Sequence, residues 1–341
     1  MTFVPLLDRA RLGAPVSSKA LTMVPIHLDG EQPSVDYLPL GQAIARGRAQ
    51  LTEISEGGSV PLLAVKNDSD FALFILDGEE LLGAKQNRVV NLSILVPPRS
   101  ILPIPVSCVE HGRWSFRTRS FDVSPNTLFA AGRADQMAAV TMCLKQHGQR
   151  HGDQAGVWGA VDERAAACGT RSPTSAMKDI YDDREAAIAE LLAGLTPQPR
   201  QAGAVFALGG RVVGMELFET PEMFLTYFNK IARGYALDAT VEPEHAAFEP
   251  GDADELLRAL RRASAERFKA VGLGEDIRID DAAVQGGALV LDDRLVHLAA
   301  FRRTTMPTQE TAHFGVTTEL KPPSLRRHWT FWARVKHWMG G

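Results

Sequence analysis

The chain has 341 residues, of which 45% are apolar and 23% charged, with a formal charge of −4 and a pI near 6.2. That is enough apolar material for one large core or two ordinary ones, with no bias toward disorder. A weakly acidic balance provides no global field for nucleic acid or an anionic membrane, so such a partner would need a local patch.

Cys108, Cys143 and Cys168 are far apart and form no C-x-x-C pair, which argues for reduced thiols over a disulfide framework or a cysteine zinc site. The first twelve residues hold too short an apolar stretch for a signal peptide, and no run reaches eighteen apolar residues. A cytoplasmic location is the expectation.

In chain order, Leu21 to Leu28 and Pro61 to Leu76 read as strands, with Asn67-Asp68-Ser69-Asp70 as a hairpin turn. Leu40 to Leu51 reads as a short helix. Arg88 to Val96 and Leu102 to Glu110 form a second predicted hairpin about Pro97-Pro98-Arg99-Ser100, where proline cannot extend a central ladder. Residues 1–125 therefore read as a β-rich unit, sandwich-like or jelly-roll-like.

From 126 to 200 the period changes: Met137, Val140 and Leu144, then Met177, Ile180, Ile188, Leu191 and Leu192, recur at helical spacing. The segment TPQPRQ, Thr196 to Gln201, ends this helical stretch. Residues 201–310 read as an α+β unit: a hairpin about Gly209-Gly210, a helix capped by Thr220-Pro221, a helix from Asp254 to Phe268, and a hairpin about Asp292-Asp293. The overall class is α+β. Residues 311–341 form a tail that interleaves Arg326, Arg327, Arg334 and Lys336 with Trp329, Phe331, Trp332 and Trp338, a composition suited to a protein partner or a membrane surface, or to docking on the chain itself.

The segment Leu76 to Glu110 carries the densest chemistry. Strand parity puts Arg88, Val90, Leu92, Ile94 and Val96 on one apolar face and Ile104, Val106, Cys108 and Glu110 on another. A turn centred on Arg99 would set Arg88 opposite Glu110 and Val90 opposite Cys108. Glu79, Glu80, Gln86 and Asn87, with Gly78 and Gly83 between them, crowd the loop leading in. Arg88 suits a carboxylate or phosphate, Gln86 and Asn87 suit orienting amides, and Glu80 or Glu110 suits a general base. A structural ion pair explains Arg88 and Glu110 equally well. Cys108 reads as a small buried hydrophobe before it reads as a nucleophile.

Weaker signals lie elsewhere. Cys143, His147 and His151 recur every four residues, a helical metal spacing weakened by the glycines of HGQRHGD. Trp158, beside a polar loop, suits a pocket wall. Glu216 sits in an apolar strand, where solvent-facing alternation is the commoner reading. No dinucleotide fingerprint or P-loop is complete, and no cofactor is indicated.

The strings GEELLGAKQNRVVNLSILVP, IPVSCVEHGRW, DQAGVWGAVDE, SPTSAM and GGRVVGMELF resemble the ARPP family, named for its association with ADP-ribosyl glycohydrolase, rhodanese and phosphatase-superfamily proteins. The resemblance covers most of residues 20 to 300. It implies a role in NAD or ADP-ribose metabolism, with the polar motif falling on Glu79, Glu80, Gln86, Asn87, Arg88, Cys108 and Glu110. The expectation is binding or hydrolysis of a nucleotide-derived small molecule at the end of the β-rich unit, with Glu80 and Glu110 catalytic and Glu79, Gln86, Asn87, Arg88, Cys108 and Trp158 around the ligand. The alternative is a scaffold or sensor that recruits a partner or membrane through its tail.

Overall fold

The computed structural model describes residues 4–30, 35–55, 61–244 and 247–303, and the basic aromatic tail at 311–341 lies outside them. The chain opens with α1 (Val4–Asp8), β1 (Ala10–Leu12), β2 (Val16–Ser18), β3 (Leu21–Leu28), β4 (Tyr37–Pro39), α2 (Leu40–Ala45) and β5 (Ala49–Glu53). Then follow β6 (Leu62–Asn67), β7 (Ala72–Ile75), β8 (Glu79–Gly83), β9 (Arg88–Val90), β10 (Ile94–Val96), β11 (Ser100–Cys108) and β12 (Phe121–Thr127). Four helices come next: α3 (Ala130–His147), α4 (Gln154–Cys168), α5 (Met177–Asp183) and α6 (Glu185–Ala193). The last stretch is β13 (Gln201–Leu208), β14 (Arg211–Phe218), α7 (Pro221–Ala239), α8 (Pro250–Arg262), β15 (Ala265–Lys269), β16 (Glu275–Asp280), β17 (Val284–Leu291) and β18 (Arg294–Arg302).

Alternation within β13 builds the larger of the sheets. Ala204, Phe206 and Leu208 face a core shared with α7, while Val205 and Ala207 face a second core shared with α8. Because helices cover both faces, every residue of β13 is buried. The sheet is antiparallel in the order β1-β3-β13-β14-β18-β17-β16-β15, with β2 also on β3, so strands from the two ends of the sequence share one sheet. The hairpins about Gly209-Gly210 and Asp292-Asp293 form as expected. Thr220 caps α7 by accepting from the Met223 amide, with proline at the first turn. The helix expected to reach Phe268 ends at Arg262. Residues 265–269 instead pair with β16 as a largely exposed, charged edge strand, a local case of tertiary pairing overriding helical propensity.

The N-terminal β-rich region is not a two-sheet sandwich. Six strands close into a barrel, β11-β6-β5-β12-β8-β9, and β10-β7-β4 form a separate small sheet. Leu51, Leu63, Val65, Leu81, Val90, Ile104, Val106 and Phe121 fill the barrel core. The two expected hairpins are absent, because β6 does not pair with β7 and β10 does not pair with β11. Asn67 explains both. Its amide donates to the carbonyls of Phe71 and Pro97, each at 2.8 Å, and its oxygen accepts from the Ser69 amide at 2.9 Å. One side chain thus ties the two turns together where the chain steps between the barrel and the small sheet. The helix expected over 40–51 stops at Ala45, since Leu51 is needed inside the barrel.

Candidate functional site at the barrel end

The β9 to β11 register pairs Arg88 with Cys108 and Val90 with Val106. The expected partner of Arg88, Glu110, lies two residues further on, so the parity holds and the pairing slips by two. Arg88 follows the inward parity of Val90 and is fully buried. Gln86 Oε1 accepts from Arg88 Nη1 at 3.0 Å, and Glu53, the last residue of β5, approaches Nη2 at 3.7 Å. Arg88 Nε and Nη2 and both Glu53 carboxylate oxygens are buried without a hydrogen-bond partner. Two orphan donors therefore face two orphan acceptors at one end of the barrel, an arrangement a folded protein retains only against a compensating gain.

Trp114 stands over this pair, its ring centroid 5.7 Å from the Arg88 guanidinium carbon. Lys85 Nζ lies 5.3 Å from the Trp114 ring and 5.0 Å from that of Phe116. Trp114 and Phe116 are 48% and 52% exposed, unusual for large aromatic side chains and suited to stacking. Arg113 fixes their loop. It donates to both Glu110 oxygens, at 2.9 and 2.6 Å, and to the carbonyls of Ala84 and Ser115 at 2.7 and 2.8 Å. Gly83 admits the loop from the other side: its φ is +129°, and an added Cβ would lie 2.5 Å from Thr118 Oγ1.

Glu110 is the hub of this clamp. Besides Arg113 it accepts from the Asn87 amide at 3.1 Å and from Thr174 Oγ1 at 2.9 Å. Burial pushes its carboxyl up, but Arg113 and the other donors outweigh this and hold it below the usual range. Such a carboxylate is a poor base. Asn87 belongs to the same clamp, its Oδ1 accepting from the Gly83 amide at 3.2 Å and from Arg113 at 3.3 Å.

Glu79 and Glu80 point to opposite sides of β8. Glu79 accepts from the Leu76 amide at 3.2 Å and pairs with Lys230 of α7. Glu80 accepts from Ser124 at 2.6 Å and Asn126 at 3.4 Å, and burial raises its pKa to about 7. Cys108 lies beside Arg88, its thiol pushed up to about 11 by burial, which suits a packing group. Trp158 on α4 packs against His111, ring centroids 5.4 Å apart. Of the eight residues singled out, Arg88, Gln86 and Cys108 meet at the barrel end, while Glu110 and Asn87 hold the loop above it.

A family model described as the ARG and Rhodanese-Phosphatase-superfamily-associated Protein domain, ARPP-1, matches residues 9–301. The chain belongs to the ARPP-1 family. No curated protein and no solved structure matches it. The ARPP-1 match takes in the barrel, helices α2 to α8 and the large sheet, and stops before the undescribed residues from 304 onward. Among the described residues of this ARPP-1 chain, no helix is long and apolar enough to cross a membrane.

Sequence reasoning missed Glu53, Lys85, Arg113, Trp114 and Phe116. The string HGRWSFRTRS carried the signal, since two aromatic residues among three arginines have no core period to satisfy. It also missed a second polar cluster. Arg133, in the first turn of α3, donates to Asp77 at 2.9 Å and to Glu216 at 2.6 Å, and Glu216 accepts from Tyr235 at 3.2 Å. Glu216 is fully buried, contrary to the solvent-facing expectation. Gly78 permits this approach, because a Cβ there would lie 2.8 Å from Arg133 Cδ.

Asp77, Glu216 and His297 offer ligand atoms within 4.8 Å of one another, yet the Arg133 guanidinium already bridges the two carboxylates. A divalent ion there would stand against that fixed positive charge, so the donor set does not fit a metal. The Cys143, His147, His151 spacing fails as a helical face, because α3 ends at His147 with Gly148 left-handed at φ +69°.

Proposed function

We propose that this ARPP-1 chain binds an anionic, ring-bearing small molecule of the nucleotide type, such as ADP-ribose, at the barrel end. The ring stacks on Trp114 or Phe116, and the anionic group is drawn to Lys85 and Arg88. The observation that carries this reading is the buried, unpartnered face between Arg88 and Glu53 beneath a half-exposed tryptophan. A ligand supplies the missing hydrogen bonds, and a charged donor left unmade costs about 1–3 kcal/mol or more. The family description, which joins ARG to rhodanese and phosphatase-superfamily proteins, supports a nucleotide-derived ligand. A hydrolytic step at this site would use Glu53, the carboxylate beside Arg88; Glu110 is committed to Arg113, and Glu80 faces out of the barrel.

The test is calorimetric and fluorescence titration of the purified chain with ADP-ribose, AMP and inorganic phosphate. The expected result is saturable tryptophan quenching by the two ring-bearing ligands, with Trp114→Ala weakening affinity by about 1–3 kcal/mol, the usual worth of one stacked base. Arg88→Gln should weaken all three ligands. Unchanged affinity in a folded Arg88→Gln variant, or no binding of any of the three, overturns the reading.

A further inference from the structure

At the Arg133 cluster, Ser93 Oγ lies 2.9 Å from His297 Nδ1, and His297 Nε2 lies 3.0 Å from Glu216 Oε2. We infer that Ser93, His297 and Glu216 form a nucleophile, base and orienting acid, and that they make this chain an esterase for short acyl groups. None of these residues belongs to the barrel-end site, so the inference stands apart from the function proposed there.

Three observations carry it. First, the hydrogen bonds run in sequence. With Nε2–H donated to Glu216, Nδ1 presents its lone pair to the Ser93 hydroxyl, which is the geometry of an activated serine with the two ring nitrogens exchanging their usual places. The competing contact, from Ser93 Oγ to Asp77 Oδ1, is longer at 3.3 Å. Second, the acid is held: Glu216 accepts from both Arg133 and Tyr235, so its carboxylate is fixed in place against His297. Asp77 Oδ1 lies 3.5 Å from His297 Nδ1, so an imidazolium formed here would sit between two carboxylates. Third, Ser93 is not sealed in the core. It is half-buried and lines a cavity of about 10 Å³ together with Asp77, Asp276, Arg278 and Gly287.

That space takes about one water, enough for the carbonyl oxygen of a small acyl group, and leaves the rest of the ester outside. The charges around it favour a developing oxyanion. Arg278 and Arg150 both pair with Asp276, at 2.7 and 2.8 Å, so two cations share one carboxylate. Arg278 Nη1 adjoins Gly287, where an added Cβ would lie 3.3 Å away, and the missing side chain leaves the guanidinium beside the cavity.

The steps balance without a co-reactant other than water. Ser93 Oγ attacks the ester carbonyl carbon as its proton passes to His297 Nδ1, and the carbonyl oxygen takes up the negative charge beside Arg278. As the carbon–oxygen bond to the leaving alcohol breaks, the imidazolium returns the proton to that oxygen. The alcohol departs and acyl-Ser93 remains. A water, deprotonated by His297 in the same way, then releases the carboxylic acid and restores the serine hydroxyl.

The experiment treats the full chain with p-nitrophenyl acetate, follows p-nitrophenol release, and maps acetyl groups by peptide mass spectrometry after an acid quench. The expected result is acetyl on Ser93, with release lowered at least about 100-fold in Ser93→Ala and in His297→Gln. Acetylation confined to lysines, or release at the wild-type rate from a folded Ser93→Ala variant, overturns the inference. Should Ser93→Ala fail to fold, the presence or absence of acetyl-Ser93 in the wild-type chain decides.

Discussion

Arg113 closes on both oxygens of Glu110, and the same guanidinium reaches the carbonyls of Ala84 and Ser115 on either side. One buried ion pair therefore sets where Trp114 stands relative to Arg88. Arg113→Ala leaves the buried Glu110 with the Asn87 and Thr174 donors and only the exposed Arg117, 3.8 Å away, as a cation, a change expected to cost up to about 3–5 kcal/mol in urea denaturation. Ligand affinity should fall with it, because the aromatic loop loses its anchor. The folded-state pKa of Glu110 lies below its unfolded value, so its contribution is present above the ordinary carboxylate range and is lost as pH falls through the depressed value. Glu110→Gln should remove that acid-side slope. An unchanged acid limb in Glu110→Gln would refute the hub role.

Parity and proline placement made much of this region legible from sequence, and the limits have identifiable causes. Arg88 and Val90 share the inward face of β9, because alternation is a property of each strand. Residues 91–93 break the run read as one strand, and Ile94 and Val96 belong to β10 in the small sheet while still packing into the same core as Val90 and Leu92. The partner across the ladder is a property of the turn, and the Asn67 side chain rerouted both turns, so the Arg88 register moved from Glu110 to Cys108. Glu53 was invisible as a partner of Arg88 because 35 residues separate them and only barrel closure brings β5 and β9 to a common interior. Arg133, Asp77, Glu216 and His297 come from four separate elements and loops, and no local period records their meeting. By contrast, the Gly209-Gly210 hairpin and the Thr220-Pro221 cap are local devices, and both appeared where the sequence placed them.

Glu80 should make stability fall as pH rises from about 4.5 to about 7. Burial raises its folded pKa to about 7 from an ordinary 4.5, with Ser124 and Asn126 only partly opposing. Between those values the folded protein holds a proton that the unfolded chain releases. Its contribution is full below the unfolded pKa and is lost as pH rises through about 7. Glu80→Gln keeps an acceptor for Ser124 and cannot ionise. We expect it to flatten the decline between pH 5 and pH 8, estimated from shifts of this size to amount to about 1–3 kcal/mol. Thermal melts at both ends of that range check this, and a wild-type slope retained in Glu80→Gln would assign the decline to other groups.

Arg133 is a buried cation that bridges two buried carboxylates, Asp77 and Glu216. Its pKa is raised further still, because Asp77 and Glu216 outweigh the opposing effect of burial. Arg133→Met removes the charge while keeping most of the volume, and it leaves two carboxylates and His297 in contact without it. The expected loss is about 3–5 kcal/mol. A pH series on the variant should show part of this loss recovered under acid conditions, as protonation relieves the carboxylate repulsion. Loss of the same size at every pH would point to packing as the cause.

The Arg88 and Glu53 pair allows stability and binding to be separated. Either single change, Arg88→Met or Glu53→Leu, strands the opposite charge in the barrel and should cost about 3–5 kcal/mol. The double variant replaces both charges with apolar side chains next to Leu51, Leu81 and Val90, which already line that interior. Buried pairs replaced in this way are often neutral, or more stable by about 1–4 kcal/mol, so the double variant should melt at or above the wild-type temperature. It should also lose ADP-ribose binding, because the orphan donors and acceptors that the ligand is proposed to satisfy are gone. A protein that keeps charges it would be more stable without keeps them for a function. If the double variant instead loses the sum of the two single effects, the pair contributes net structural energy, and the barrel end holds its own charges for the fold alone.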